Sequence, residues 1–486
     1  MRPKLQFLSN DLIERIISEA VDLICKLGVE INNENVLSLL GDHGAKIDRQ
    51  KKRAYYNQDL VDKSLDTAPK AFKLYDSLGN ETVDLSDHNV NFTPGSAAIN
   101  ILDGETGEIR KPVTSDYIAY SKLVSRMKNI ASQSTAMVPS DVHALISDSY
   151  RLYLSLLHCE KPVVTGTFTV EAFAVMRDFQ LAVRGSKEKL AEKPLTIFSC
   201  CPTAPIKWSD VTSQNLLDCA LYSIPVEYIS MPLSGFMAPV TLVGTLIQHT
   251  AETLSGLVIS QLANPGTPVL YGGSPAIFDT RYETTPMGAV GTMMIDCACN
   301  EIGKYFGLPT QAYIGLSDSK MLDAQAGLES SMGATLAALS GINNISGPGM
   351  LDFESCFSLE KLVVDNEICG MTIHMLKGIE PKEDFPSLPI FEELMKEQHL
   401  LISDHTRRYL KEEFYFPSPV IDRANRSRWK EEGGVSLEKR ASKEIEKHAA
   451  DYEPVKISGD VISELTRLMK AEGRRVGMDK LPKINQ

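Results

Sequence analysis

No stretch of this chain is apolar for the roughly 20 consecutive residues a membrane-spanning helix needs. The first residues, MRPKLQFLSNDLIERI, carry charge too early for a secretory leader, so a cytoplasmic protein is expected. Positive charge is in deficit: the formal net charge is −13, which argues against a nucleic-acid polyanion as partner. Cysteine is sparse and odd in number, at 9 residues without a regular framework, as in a reducing compartment. The two close pairs, Cys200-Cys201 and Cys297-Ala-Cys299, have no second pair or helically spaced histidine nearby, so buried thiols are expected rather than a metal site. The usual reactive signatures are missing too. There is no G-x-S-x-G elbow, no H-E-x-x-H helix, no Walker loop and no G-x-G-x-x-G after a strand. No lysine stands at a strand end as a Schiff base, because Lys320 follows LSDS into the next helix. His249 sits in the apolar helical pattern TLIQHTAETLSGLVISQL and reads as a satisfied core residue.

What remains is an ordinary soluble composition, 43% hydrophobic and 23% charged, in a chain long enough for more than one folding unit. Residues 1–88 read as an appendage. Ser9 or Asn10 caps an amphipathic helix that Gly28 stops, and AFKLYDSLGNETVDL alternates around a Gly-Asn turn as a hairpin. Residues 89–380 change rhythm. Eight short apolar runs, VNFTPGSA, IASQSTAM, PVVTGTF, LTIFSCCP, VEYISMP, PVLYGGS, TQAYIGL and NNISGPG, alternate with helical patterns. Their lack of strict alternation suits parallel strands buried on both faces. The count and length predict an α/β fold, a (β/α)8 TIM barrel, with a doubly wound open sheet as the competing arrangement. Residues 381–486 read as a helical extension rich in charges of both signs, the pattern of a solvated face.

In a parallel barrel, chemistry belongs at the C-terminal strand ends. That rule selects Phe92, Thr93 and Ser96; Thr165 and Thr167; Cys200 and Pro202; Met231 and Ser234; Tyr271 and Ser274; Leu316, Ser317 and Asp318; and Ser346 and Met350. Aromatic and small polar residues dominate there. Phe92, Phe168, Phe198, Tyr228, Phe236, Tyr271, Phe278, Tyr313 and Phe357 lie in or just after strands. Some must be barrel filling; the others could cage a quaternary ammonium.

Two long segments are recognisable: Met231–Ser274, MPLSGFMAPVTLVGTLIQHTAETLSGLVISQLANPGTPVLYGGS, and Gly307–Leu351, GLPTQAYIGLSDSKMLDAQAGLESSMGATLAALSGINNISGPGML, followed by FSLEKLVVDNE. With INILDGETGEIRKPVTSDY and EEFYFPSPVIDR, they resemble the trimethylamine methyltransferase family over nearly the whole chain. The resemblance implies a cytoplasmic (β/α)8 barrel that moves a methyl group from an amine to the Co(I) of a partner corrinoid protein. It implies no metal or corrinoid held by this chain itself, and a homo-oligomer is the expected assembly. The family's archetype carries pyrrolysine in a G-S-pyrrolysine-S-D-A-K stretch. Aligned on S-D-x-K…D-x-Q-A-G, that position is Leu316 here.

A leucine cannot form the covalent adduct attributed to pyrrolysine. A quaternary ammonium needs none, because its nitrogen is already cationic and a neutral tertiary amine can leave. The chain therefore resembles the non-pyrrolysine branch, whose substrates are betaine-like: glycine betaine, proline betaine, carnitine and related compounds. On this reading Leu316 is pocket wall, with Asp318 and Gln325 shaping the loop behind it. Tyr271, Phe236, Tyr313, Phe92 and Phe357 are candidates for contact with the ammonium, and Arg281 or His374 for the substrate carboxylate. Glu354 or Asp318 would be general-acid suspects if a tertiary amine were consumed. Three alternatives stay open: a non-catalytic binder of quaternary ammonium osmolytes, a trimethylamine-type enzyme with a different activating group, and a lyase or aldolase of the same fold. The last would need a lysine or metal that the sequence does not offer.

Overall fold

The computed structural model describes residues 2–483. Each of the eight apolar runs contains one strand: β1 Asn91–Thr93, β2 Gln133–Ser134, β3 Val163–Thr165, β4 Thr196–Cys200, β5 Val226–Tyr228, β6 Val269–Gly273, β7 Thr310–Tyr313 and β8 Asn344–Ser346. They form one parallel eight-stranded sheet in which β2 to β8 are neighbours in chain order and β8 pairs back on β1. The Ala131 N–H donates to the Phe92 carbonyl at 2.8 Å, and Ala98 bridges Met137, so β1 and β2 close the ring. Sequential neighbours and ring closure exclude the doubly wound sheet.

A helix follows each strand: α1 Thr114–Arg126, α2 Ser147–His158, α3 Ala172–Arg184, α4 Asp210–Leu221, α5 Leu242–Ala263, α6 Val290–Tyr305, α7 Ala324–Ser340 and α8 Leu359–Met375. The 22-residue α5 is buried along almost its whole length. Such a helix needs cover on its outer side. The N-terminal residues supply it: helices Asn10–Asp22 and Gln58–Thr67 pack on α5. Ser9 caps the first of these, its side chain accepting from the Leu12 N–H. Beside them runs a small sheet that the sequence did not suggest. Strands Val29–Ile31, Lys46–Asp48 and Arg53–Tyr55 extend onto Lys207–Trp208 from the loop after β4. Gly256 lets α5 press close, since a Cβ there would lie 2.6 Å from the Trp208 ring.

The expected hairpin forms from Lys73–Tyr75 and Glu81–Asp84. Its Leu74 and Val83, with Leu85, pack on Val164, Ile197 and Leu270. These last three are inward residues of β3, β4 and β6 at the N-terminal end of the barrel. The hairpin is therefore the barrel's floor, and the opposite end is left as the mouth.

After α8 the chain is helical, as expected, and among the described residues no strand follows Phe357. Helices α9 Leu388–Glu397 and α10 Asp404–Glu413 bury no residue of their own. Helix Leu437–Ala450 packs on α1 and α8, and helix Gly459–Arg475 on α2 and α3.

Candidate active site

Strand register assigns the interior. Val164, Ile197 and Leu270 point inward at the floor, and parallel partners share a face. Glu227 pairs with Ser199 and Leu270, so its side chain enters the barrel between outward-facing Val226 and Tyr228. Ser199 Oγ donates to Glu227 Oε1 at 2.7 Å and Asn344 Nδ2 to Oε2 at 3.2 Å. Thr93 Oγ1 in turn donates to Asn344 Oδ1 at 2.8 Å, so a polar layer crosses the barrel from β1 to β5. Burial pushes the Glu227 carboxyl up to about 7, against the pull of its two hydrogen bonds.

Toward the mouth, polar groups accumulate without partners. Gln311 Oε1 accepts from the Gly273 N–H at 3.2 Å, while its Nε2 bonds to nothing among the described residues. Gly272 makes room for that amide; a Cβ there would sit 2.5 Å from Gln311 Oε1. Tyr313, two residues on, shares its side; its hydroxyl lies 3.2 Å from Ser96 Oγ. The Tyr313 hydroxyl is pushed up by burial and then by the charges of Glu227 and Glu354, so both carboxyls lie within electrostatic reach of it. Glu354 arrives on the loop between β8 and α8, through three successive left-handed residues: Asp352 (φ 50), Phe353 (φ 54) and Glu354 (φ 68). None is glycine, and such residues cost about 1–3 kcal/mol each unless their surroundings enforce them. Lys320 helps enforce them, its Nζ 3.9 Å from the Phe353 ring centroid and 3.6 Å from Asp352. Strain spent on presenting one carboxylate marks that carboxylate as functional.

Glu354 Oε1 and both oxygens of Asp296, on α6, are buried with no hydrogen-bond partner among the described residues, as are Ser274 Oγ and Thr167 Oγ1. Burial raises the Glu354 carboxyl well above its ordinary range, and burial followed by Glu354 does the same to Asp296. No lysine or arginine among the described residues forms an ion pair with Glu227, Asp296 or Glu354. Buried carboxyls are normally paired or neutral. Three of them around a tyrosine, with no cation of the protein's own, form a receptor that lacks its positive charge.

The reactive alternatives are muted. Cys201 is pushed up to about 12, chiefly by burial and then by Cys200, Glu227 and Glu354, so it stays a thiol rather than a nucleophile. His249 Nε2 lies 3.0 Å from the Gly272 carbonyl, and burial pushes the ring down to about 4. Its Nδ1 has no partner among the described residues. Among those residues no cluster of three or more His, Cys, Asp or Glu side chains could hold a metal ion.

The residues singled out from sequence scatter around this centre. Leu316 follows the β7 end in a turn made by left-handed Gly315 (φ 82) and is 1% exposed, within the main apolar core. Its loop is latched from two sides. The Ser317 N–H donates to the Met350 carbonyl at 3.2 Å, and Asp318 accepts from the N–H groups of Met287 and Gly288, both at 2.9 Å. Burial pushes Asp318 up to about 6, but both oxygens hold backbone, so it positions the loop. Gln325, exposed on α7, donates to Glu329, which in turn accepts from Ser317 Oγ and the Asp318 N–H.

Several expected contacts are corrected. Tyr271 alternates outward and donates to Thr250 Oγ1 on α5 at 2.9 Å. Phe92, next to inward Thr93, also faces the helices, and Phe357 lies edge-on to Tyr120 of α1 at 5.2 Å. All three are core packing. Phe236 stands 63% exposed on the rim, stacked on Phe278 at 4.8 Å. Arg281 is a rim residue held by Asp279, through two bonds of 3.0 and 2.6 Å. His374 is the penultimate residue of α8, at the floor end of the barrel, bonded to the Glu413 carbonyl. Neither Arg281 nor His374 faces the carboxyl cluster.

Glu227, Asp296 and Gln311 were missed. For Glu227 a signal existed: one carboxylate between Val226 and Tyr228 in an otherwise apolar strand. Its raised pKa has a consequence for stability. Below about pH 4.5 the carboxyl is neutral in both folded and unfolded chains. Between about 4.5 and 7 the unfolded chain ionises while the fold resists, so stability falls by on the order of 3 kcal/mol and levels off above 7. Glu227→Gln is therefore expected to raise the melting temperature at pH 8 and to change it little at pH 4.5. Equal effects at both pH values would contradict the assignment.

A model of the trimethylamine methyltransferase (MTTB) family matches residues 1–476. A glycine betaine methyltransferase of Desulfitobacterium hafniense is 29% identical over 477 residues, covering 98% of both chains. A trimethylamine methyltransferase MttB of the same species is 27% identical, covering 95% of this chain and 93% of that one. An MttB of Methanosarcina barkeri is 28% identical, covering 98% and 97%. Among solved structures, the monomethylamine methyltransferase MtmB of Methanosarcina barkeri superposes with a TM-score of 0.52 at 11% identity, over 99% of this chain and 90% of that one. At that identity the likeness establishes the barrel architecture alone.

Proposed function

Since the chain belongs to the trimethylamine methyltransferase family and is a methyltransferase of that family, we propose that it removes one methyl group from a betaine-type quaternary amine and delivers it to a partner corrinoid protein. The observation that carries this reading is the uncompensated carboxyl cluster of Glu227, Asp296 and Glu354 beside Tyr313, in a barrel whose pyrrolysine-equivalent residue is Leu316. A quaternary ammonium is a permanent cation without an N–H to donate, so it can neutralise these groups through proximity alone. One full charge about 4 Å from a carboxylate gains about 4 kcal/mol at an effective dielectric of 20. The Tyr313 ring adds roughly 0.5–2 kcal/mol of cation–π attraction. The carboxylate of a betaine would need donors instead, and the unpartnered Gln311 Nε2, Ser274 Oγ and Thr167 Oγ1 are neutral donors of that kind.

The corrinoid, carried by the partner, supplies a Co(I) nucleophile strong enough to take a methyl group in line from a cationic nitrogen. What this chain contributes is position and electrostatics. Its carboxyls and Tyr313 hold the cationic nitrogen, Leu316 walls the pocket without forming an adduct, and burial excludes water. The neutral tertiary amine that results loses the attraction of the carboxyls and is released. Around the mouth, Phe168, Met231, Val240, Tyr282 and Met321 join Phe236 as exposed apolar residues on the loops after β3, β5, β6 and β7. A ring of this kind suits a protein partner docking over the opening. No helix among the described residues is long and apolar enough to cross a membrane.

A second reading has one observation in its favour. Glu227 near 7, and Glu354 higher, can keep a proton at neutral pH. Such an acid could protonate a tertiary amine and take over the activating role absent at Leu316. A panel of glycine betaine, proline betaine, carnitine and trimethylamine, mixed with chain and reduced corrinoid protein and followed by the cobalt spectrum, separates the readings. Methylation by at least one betaine and not by trimethylamine supports the first. Methylation by trimethylamine alone supports the second. Binding without any spectral change would indicate a non-catalytic receptor.

A further inference from the structure

The excursion between α8 and residue 416 is the least covered part of the molecule. Neither α9 nor α10 buries a residue, yet both are amphipathic. On α9, Leu388, Phe391 and Met395 recur at helical spacing; Phe385 precedes them, and Leu401 and Ile402 fill the link to α10. All six are between 58% and 80% exposed. At roughly 170 Å² per large side chain they offer roughly 700 Å² of apolar surface, above the 300–600 Å² patch of an ordinary monomer and close to the ≈800 Å² per partner of a standard interface.

We infer that this hairpin is the interface through which two copies of the chain associate around a two-fold axis. The corrinoid protein is not the occupant, because it must reach the mouth. The hairpin springs from the C-terminal end of α8, at the floor end, and the bond from His374 Nε2 to the Glu413 carbonyl returns its far end there. Charge favours self-association. Helix α9 carries Glu392, Glu393 and Glu397 against the single Lys396, whereas α10 places Arg407, Arg408 and Lys411 along its middle. A two-fold interface must be self-complementary, and antiparallel copies would set the acidic helix of one protomer against the basic helix of its partner. An anionic membrane surface is disfavoured by acidic α9 and by the net charge of −13.

The test is sedimentation equilibrium of the full chain and of the double variant Phe391→Asp/Leu401→Asp. Both positions are exposed, so the variant should keep its circular dichroism spectrum and its affinity for a quaternary amine at the mouth. The expected result is a dimer for the native chain and association weakened by roughly 100-fold or more in the variant. A native chain still monomeric at about 50 µM would overturn the inference, since obligate association is visible well below that concentration. So would a variant that dimerises as the native chain does. Association that appears only when corrinoid protein or anionic vesicles are added would assign the surface to those partners instead.

Discussion

Trimethylamine is expected to be consumed at least roughly 1,000-fold more slowly than the best betaine, a difference of about 4 kcal/mol in the transition state. The reason lies in the leaving group. Transfer of a methyl from a quaternary ammonium releases a neutral tertiary amine, whereas transfer from a neutral tertiary amine would release an amide anion. Something must first make the nitrogen cationic, and Leu316 has no electrophilic or acidic atom with which to do it. For the same reason a betaine should be demethylated once and no further. The check is to quantify mono- and didemethylated products by mass spectrometry after exhaustive incubation with excess reduced corrinoid protein. Accumulation of the didemethylated product would show that a carboxyl of the cluster protonates the amine.

Removing a negative charge from the receptor should have the next largest effect. Glu354→Gln keeps the volume of the side chain and discards its charge. It is expected to lower kcat/KM for the quaternary substrate by roughly 100-fold or more, equivalent to about 3 kcal/mol. Its affinity for the neutral tertiary product should barely change. Glu227 gives the pH dependence. Its ionised form attracts the cation, so kcat/KM should rise with pH up to about 7 and level off above it. In Glu227→Gln that limb should flatten at a lower plateau. A pH profile identical to the native one would remove Glu227 from the binding machinery, and an unchanged kcat/KM in Glu354→Gln would remove Glu354.

The eight strands were legible because each is a short apolar run ended by glycine, proline or serine, and the same regular alternation with helices fixed their number. The position of Leu316 was legible through its neighbours, Ser317, Asp318 and Lys320. The direction of side chains was not. A parallel strand buried on both faces shows no alternation, so Tyr271 and Phe92 looked as available as Tyr313 until the register of Thr93, Asn344 and Glu227 assigned the faces. Glu354 was hidden differently. It reaches the cluster through three left-handed residues, none of which is a glycine that would have announced the turn. Asp296 lies in a helix pattern where a lone carboxylate reads as surface, and only packing shows it buried. Arg281 and His374 had the chemistry to hold a carboxylate, but Asp279 holds one and the floor of the barrel the other.

The most direct test of direct methyl transfer from a quaternary nitrogen is a single-turnover experiment. Chain, glycine betaine and reduced corrinoid protein are mixed anaerobically, and the Co(I) absorbance and the tertiary amine are followed together. The reading developed here requires loss of Co(I) to methyl-cobalt with one dimethylglycine formed per cobalt methylated. The same result should follow with proline betaine or carnitine if one of these fits the pocket better. An unchanged Co(I) spectrum with every quaternary amine, beside methylation from trimethylamine, would contradict it.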